Sequence, residues 1–225
     1  MSLLERRSRE ISRPTLEAMG RVLARSPLTP DAVTLVGLLL TAGVAALAAL
    51  GEIRWAGVAY VLAALCDSLD GALARARGGG SRFGAFLDST VDRLEEALVF
   101  LGLIIYYVRA GAIWEPPLIL VATVGSLLVS YTRARAEGLG VACKDGLMTR
   151  LVRLVILIAG MILNQVLIAV IIIGAGSLLT AFHRVYHVWQ VTGGEKGGWG
   201  AVKEPYAPPA PPASTPRGAD EQEVP

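Results

Sequence analysis

Four aspartates stand close together in a chain with few charges for its length. Asp67 and Asp70 are three residues apart, and Asp88 and Asp92 are four apart. On a helix both spacings put two carboxylates on one face. Gly78, Gly79, Gly80 and Ser81 lie between the pairs and permit a tight reversal, so two successive helices can bring all four acids together. Such a cluster repels itself unless cations or protons neutralise it. Oxygen-only ligands of this kind suit Mg²⁺, which is held by few carboxylates and completes its shell with water and phosphate oxygens. The chemistry implied is metal-dependent work on a phosphate group.

The elements that must position these acids are apolar and long. The 225-residue chain is 53% hydrophobic, and its apolar residues come in blocks instead of the period of a soluble amphipathic helix or strand. Six blocks run from about Ala32 to Leu50, Trp55 to Leu73, Ala85 to Val108, Leu118 to Tyr131, Leu147 to Leu163 and Val166 to Val188. A helix needs about twenty residues to cross a bilayer. Blocks two to five reach that length only if their polar ends are helical and face a wet cavity. The fold expected is an all-α integral membrane protein of six transmembrane helices, preceded by an amphipathic juxtamembrane helix. Residues 1–27 are the basic amphipathic segment, residues 28–192 the membrane domain, and residues 193–225 a Gly/Pro-rich disordered tail. The leader is too basic along its length for a cleaved signal peptide.

Charge sets the expected orientation. Of 21 Lys and Arg, only Arg54 and Arg109 fall at the short connectors after blocks one and three, and the connector after block five has none. The positive-inside rule then places both termini and the acidic cluster at the cytoplasmic face of the cell membrane. Trp55, Tyr106, Tyr107 and Trp114 would form the outer aromatic belt. A net charge of +2 gives no reason to expect a nucleic-acid partner. Cys66 and Cys143 form no disulfide framework. His183 and His187 are four apart but lack a third ligand nearby, so an interfacial role is expected. Gly37, Gly43, Gly125, Gly174 and Gly176 suggest close helix contacts.

The acidic motif has a family resemblance. Asp67-x-x-Asp70-Gly71-x-x-Ala74-Arg75, eight residues, then Gly84-x-x-x-Asp88-x-x-x-Asp92 resembles the signature of the CDP-alcohol phosphotransferases at every fixed position. The resemblance implies transfer of a phosphatidyl group from a CDP-lipid to an alcohol, with release of CMP, in phospholipid biosynthesis. It implies that Asp67, Asp70, Asp88 and Asp92 hold two Mg²⁺ ions, Mn²⁺ being an alternative, with Asp92 also the general base. Asp31, Thr34, Gly71, Ala74, Arg75, Ser81 and Gly84 would meet the CDP-lipid. Gly71 and Ala74 lack bulk beside the acids, and Arg75 offers a diphosphate a fork of donors. Without the resemblance, Asp31 is a helix N-terminal acid favoured by the dipole. The family is commonly homodimeric, so a homodimer is an expectation of the same kind.

The second substrate is read from the other half of the chain. Ser130-Tyr131-Thr132-Arg133-Ala134-Arg135-Ala136-Glu137 and Asp88-Ser89-Thr90-Val91-Asp92-Arg93 are similar to segments of the phosphatidylinositol-phosphate synthase branch. That branch implies inositol phosphate as acceptor, with Ser130, Arg133, Arg153 and Arg184 gathered around its phosphate. Positive-inside anchoring explains the same arginines without a pocket. The branch's E-R-P-E-R is replaced here by Leu147-Met148-Thr149-Arg150-Leu151-Val152-Arg153, which leaves Arg150 short of a carboxylate partner. Glycerol phosphate or another alcohol is the alternative acceptor. A cation transporter is a different class, since acids in spans often mark ion paths. The second half of the chain has no matching acidic pair to support it.

Overall fold

Turn chemistry delimits six helices in the computed structural model, which describes Val22, Ala24, residues 27–143 and residues 146–193. Helix α1 (Pro30–Ala49) is capped by Thr29, whose hydroxyl accepts from the Ala32 N–H at 3.2 Å, with proline in its first turn. Gly51, in the left-handed region at φ 92°, turns the chain into α2 (Ile53–Ala76). Gly78 and Gly79, with φ of 91° and 126°, make the next reversal. Ser81 then caps α3 (Arg82–Arg109) by accepting from the Gly84 N–H at 2.8 Å. Helix α4 (Glu115–Gly138) starts on a proline-containing turn. Helix α5 (Arg150–Ile162) leads through the left-handed Asn164 into α6 (Val166–Gly193).

Small residues set the packing. A Cβ on Gly102 of α3 would run into the Ala45 backbone of α1, and one on Gly37 of α1 would lie 3.3 Å from Glu95 Oε1 of α3. The two contacts advance together along both chains, so α1 and α3 run parallel. Gly125 against Ser177 and Gly174 against Ala122 give α4 and α6 the same relation. Gly57 packs on Met161 and Ile162, while Arg150 reaches back to Asp67, so α2 and α5 are antiparallel. Of the glycines expected at close contacts, Gly43 meets nothing within 4 Å. The core between the helices is built from Val44, Tyr60, Phe100, Leu103, Leu157 and Ile173, among others.

The described residues form no strand, and four helices, α1, α2, α4 and α6, are long and apolar enough to cross a membrane. Leu39, Leu62, Leu120, Leu179 and Phe182 are exposed, as a lipid-facing surface requires. Helices α3 and α5 depart from the six-block expectation for different reasons. The N-terminal part of α3 carries Arg82, Asp88, Asp92, Arg93, Glu95 and Glu96. Block five was expected to begin at Leu147, but α5 starts at Arg150 after extended Thr149 (ψ 162°) and holds 13 residues, or about 20 Å of rise. Block four errs the other way, its helix continuing to Gly138. The expected amphipathic leader, apart from Val22, Ala24 and Pro27, and the tail beyond Gly193 lie outside the described residues, as does Asp145.

Candidate active site

Each aspartate is placed by a helix end. Asp67 and Asp70 lie in the last three turns of α2, and Asp88 and Asp92 in the first three turns of α3. The glycine reversal folds these ends against each other. Asp67, Asp70 and Asp88 each offer an oxygen within 4.8 Å of the other two. A second group at the same limit joins Asp67 to Asp92 and Glu95. Asp70 is buried and fixed on both oxygens: Thr34 of α1 donates its hydroxyl to Oδ2 at 2.6 Å, and the Gly71 N–H donates to Oδ1. Asp67 Oδ1 is buried without a hydrogen-bond partner. An anionic oxygen in that condition calls for a cation. Hard oxygen donors at this spacing fit Mg²⁺ or Mn²⁺.

Beside the acids lies a cavity of about 540 Å³. All seven residues expected to meet the CDP-lipid line it: Asp31, Thr34, Gly71, Ala74, Arg75, Ser81 and Gly84. Asp70 and Asp88 complete one wall. Two glycines here lie close to polar side chains of the site. A Cβ on Gly84 would sit 3.1 Å from Asp31 Oδ1 and from Ser81 Oγ, and one on Gly71 would sit 3.3 Å from the Arg75 guanidinium. The cavity therefore presents backbone, the arginines Arg75 and Arg77, and acids, a lining suited to a nucleoside diphosphate accompanied by cations.

Two participants escaped the sequence reading. Arg150, expected to lack a carboxylate partner, has three: Nη1 lies 2.6 Å from Asp67 Oδ2 and 2.7 Å from Asp92 Oδ1, and Nη2 lies 3.0 Å from Glu95 Oε2. The Asp92 contact is close in distance but not aligned as a hydrogen bond. Glu95 follows Asp92 by three residues and Asp88 by seven, so helical spacing alone puts it on their face. Nothing local announces Arg150, whose partners lie between 55 and 83 residues away.

The four residues expected around an acceptor phosphate do not share one cavity. Ser130 lines a groove of about 640 Å³ between α3 and α4, edged by Phe86, Arg93 and Tyr131. Arg184 lines a smaller one of about 220 Å³ between α4 and α6 and donates to the Val129 carbonyl. Arg133 pairs with Glu137 at 2.9 Å on the exposed face of α4. Arg153 is 2% exposed and grips both oxygens of Glu96 at 2.7 and 2.8 Å, with Nη1 on the Met148 carbonyl. The space bordering it is only about 10 Å³, too small for a polyol phosphate.

The family profile described as CDP-alcohol phosphatidyltransferase matches residues 27–183. The chain belongs to that family. It is a membrane-embedded transferase of phospholipid synthesis. A phosphatidylinositol phosphate synthase of Mycobacteroides abscessus is 38% identical to this transferase over 194 residues, covering 80% of this chain and 86% of the relative. An archaetidylinositol phosphate synthase of Pyrococcus horikoshii is 36% identical over 172 residues, covering 76% of this chain and 89% of the relative. The crystal structure of Mycobacterium tuberculosis phosphatidylinositol phosphate synthase with CDP-DAG bound superposes with a TM-score of 0.72 at 32% identity, covering 77% of this chain and 93% of that one. The same mycobacterial enzyme has been solved with manganese and citrate.

Proposed function

We propose that this transferase moves a phosphatidyl group, or its ether-linked analogue, from a CDP-lipid to inositol phosphate and releases CMP. The observation that carries the donor half is the convergence of all seven residues expected to meet the CDP-lipid, four of them from the motif, on one cavity walled by Asp70 and Asp88. The relatives' names support inositol phosphate as the acceptor.

In this reading Asp67, Asp70 and Asp88 hold two divalent ions, with Asp92 completing the set. When bound, such ions stabilise charge on the phosphate oxygens and on the departing CMP. The chain's own residues do the rest. Asp31, Thr34 and the bare backbone at Gly71 and Gly84 seat the cytidylyl group, and Arg75 grips the diphosphate. Asp92 accepts the proton of the acceptor hydroxyl as its oxygen bonds to the β-phosphorus. The bond from that phosphorus to the bridging oxygen breaks, and CMP departs with its electron pair. Ser130, Arg133 and Arg184 meet the acceptor's phosphate, to which guanidiniums offer charge and paired donors. Arg153, committed to Glu96, joins α5 to α3.

The membrane arrangement follows the same reading. All six helices traverse the bilayer within residues 28–192, with the acids of α3 facing protein and cavity and the exposed Leu151, Val155 and Ile162 of α5 facing lipid. Both termini and the site lie on the cytoplasmic side of the cell membrane. Two copies pair as a homodimer.

The test is CMP release from CDP-DAG by the purified protein with Mg²⁺ or Mn²⁺, offered inositol phosphate, glycerol phosphate or free inositol in turn. Release that requires inositol phosphate and stops on chelation is the expected result. No release with any phosphorylated polyol would sink the reading, and release with glycerol phosphate alone would reassign the acceptor.

A further inference from the structure

The two carboxylate groups at the site share Asp67 but are not equivalent. The group of Asp67, Asp70 and Asp88 opens onto the cavity through Asp70 and Asp88. The group of Asp67, Asp92 and Glu95 already holds a cation, the guanidinium of Arg150. Arg150 is the first residue of α5, so its long side chain leaves the helix end and reaches α2 and α3 together. Its planar fork suits this position. One terminal nitrogen lies between Asp67 and Asp92, and the other takes Glu95.

Glu95 is the informative partner. It belongs to no part of the aspartate motif, its side chain is 5% exposed, and its Oε1 is buried without a hydrogen bond. A buried glutamate is costly without a countercharge. Space for it is made by Gly37 of α1, whose missing side chain leaves Oε1 room. In charge, Glu95 and Arg150 cancel, so together they leave the net charge of the four aspartates unchanged. What they add is geometry: Arg150 takes Oδ2 of Asp67 and leaves Oδ1 free.

We propose that Arg150, held by Glu95, is a positioning residue that serves as the resident cation of the acidic centre, orienting Asp67 and Asp92 and limiting how tightly the centre binds divalent metal. The inference rests on the metal-dependent reading above. It differs from a purely structural link between α5 and α3 in what it requires of metal affinity. A link that only holds the fold together loses metal when cut. A resident cation, once removed, leaves an excess acid, and metal binds more tightly.

The experiment measures Mn²⁺ binding to purified, metal-stripped protein without substrates, by the electron paramagnetic resonance signal of free Mn²⁺. Arg150→Met is expected to bind Mn²⁺ about tenfold more tightly than wild type, because one short-range repulsion is gone. Glu95→Gln should bind about tenfold more weakly, since it removes an acid and keeps the guanidinium. The double variant should return close to the wild-type affinity. Arg150→Lys keeps the charge but not the fork, so it should bind Mn²⁺ like wild type. Its kcat for CMP release should fall at least about tenfold with little change in the KM for CDP-lipid. Unchanged or weaker Mn²⁺ binding by folded Arg150→Met would overturn the proposal. If that variant does not fold, Glu95→Gln decides, and unchanged or tighter binding there overturns it equally. Wild-type protein that binds no Mn²⁺ would instead remove the metal-dependent reading and this inference with it.

Discussion

At the scale of single residues, the hydrogen bond from Thr34 to Asp70 links the first helix to the acids. A hydroxyl on a carboxylate is worth about 1.5–3 kcal/mol, so Thr34→Val should lower kcat/KM for CMP release about 10- to 100-fold. Thr34→Ser should keep most of the activity, and steady-state kinetics in detergent distinguish the two. Asp92→Asn carries a different expectation, because it keeps the shape and removes the base. Turnover should fall at least about 100-fold while CDP-lipid still binds, as equilibrium binding of labelled CDP-lipid would report. Normal turnover would take the base role from Asp92. The aspartates were legible because helical spacing is local: three and four residues apart means one face, whatever else the chain does. Glu95 obeys the same rule and was legible in principle, but it lies outside the eight-position motif that drew attention. Arg150 was seen and misjudged. Its sequence neighbours offer it no carboxylate, whereas its partners come from α2 and α3.

At the scale of elements, the six apolar blocks became six helices because blocks end where turn residues stand, at Gly51, Gly78, Gly111 and Asn164. The errors came where polar residues continue a helix or interrupt a block. Arg133 to Gly138 stay helical in α4, while Leu147 and Met148 do not join α5. Close packing was legible as a glycine tendency, but not glycine by glycine, since which one faces a neighbour depends on rotation about the helix axis. Gly102 and Gly43 separate the cases. A Cβ on Gly102 would strike the Ala45 backbone, which cannot move aside as a side chain can. Gly102→Ala should therefore destabilise the protein by about 1–3 kcal/mol by forcing α1 and α3 apart. Gly43 has open space around it, and Gly43→Ala should be neutral or stabilising by up to about 1 kcal/mol. Apparent melting temperatures in detergent compare them directly.

At the scale of the molecule, helices α1, α2 and α3 pack as one group and α4 and α6 as another, and α5 contacts α2 on one side and α6 on the other. Nothing in the spacing of the sequence reveals that division, because it rests on partners far apart in the chain. A buried polar tie across it is the fork of Arg153 on Glu96, 57 residues apart and enclosed beside Tyr60 and Leu157. A buried pair of this kind adds little net stability over an apolar pair, but cutting one partner strands the other charge at a cost of about 3–5 kcal/mol. Arg153→Met should therefore lower the apparent melting temperature sharply. Glu96→Gln should do so less, because the amide can still accept from the guanidinium. The double variant Arg153→Met with Glu96→Gln should recover much of the loss, since no lone charge remains buried. Melting followed by size-exclusion chromatography reads all three. Recovery of the fold without recovery of inositol-phosphate-dependent CMP release would show that the pair also shapes the acceptor side. Recovery of both would confine Arg153 to joining α5 and α3.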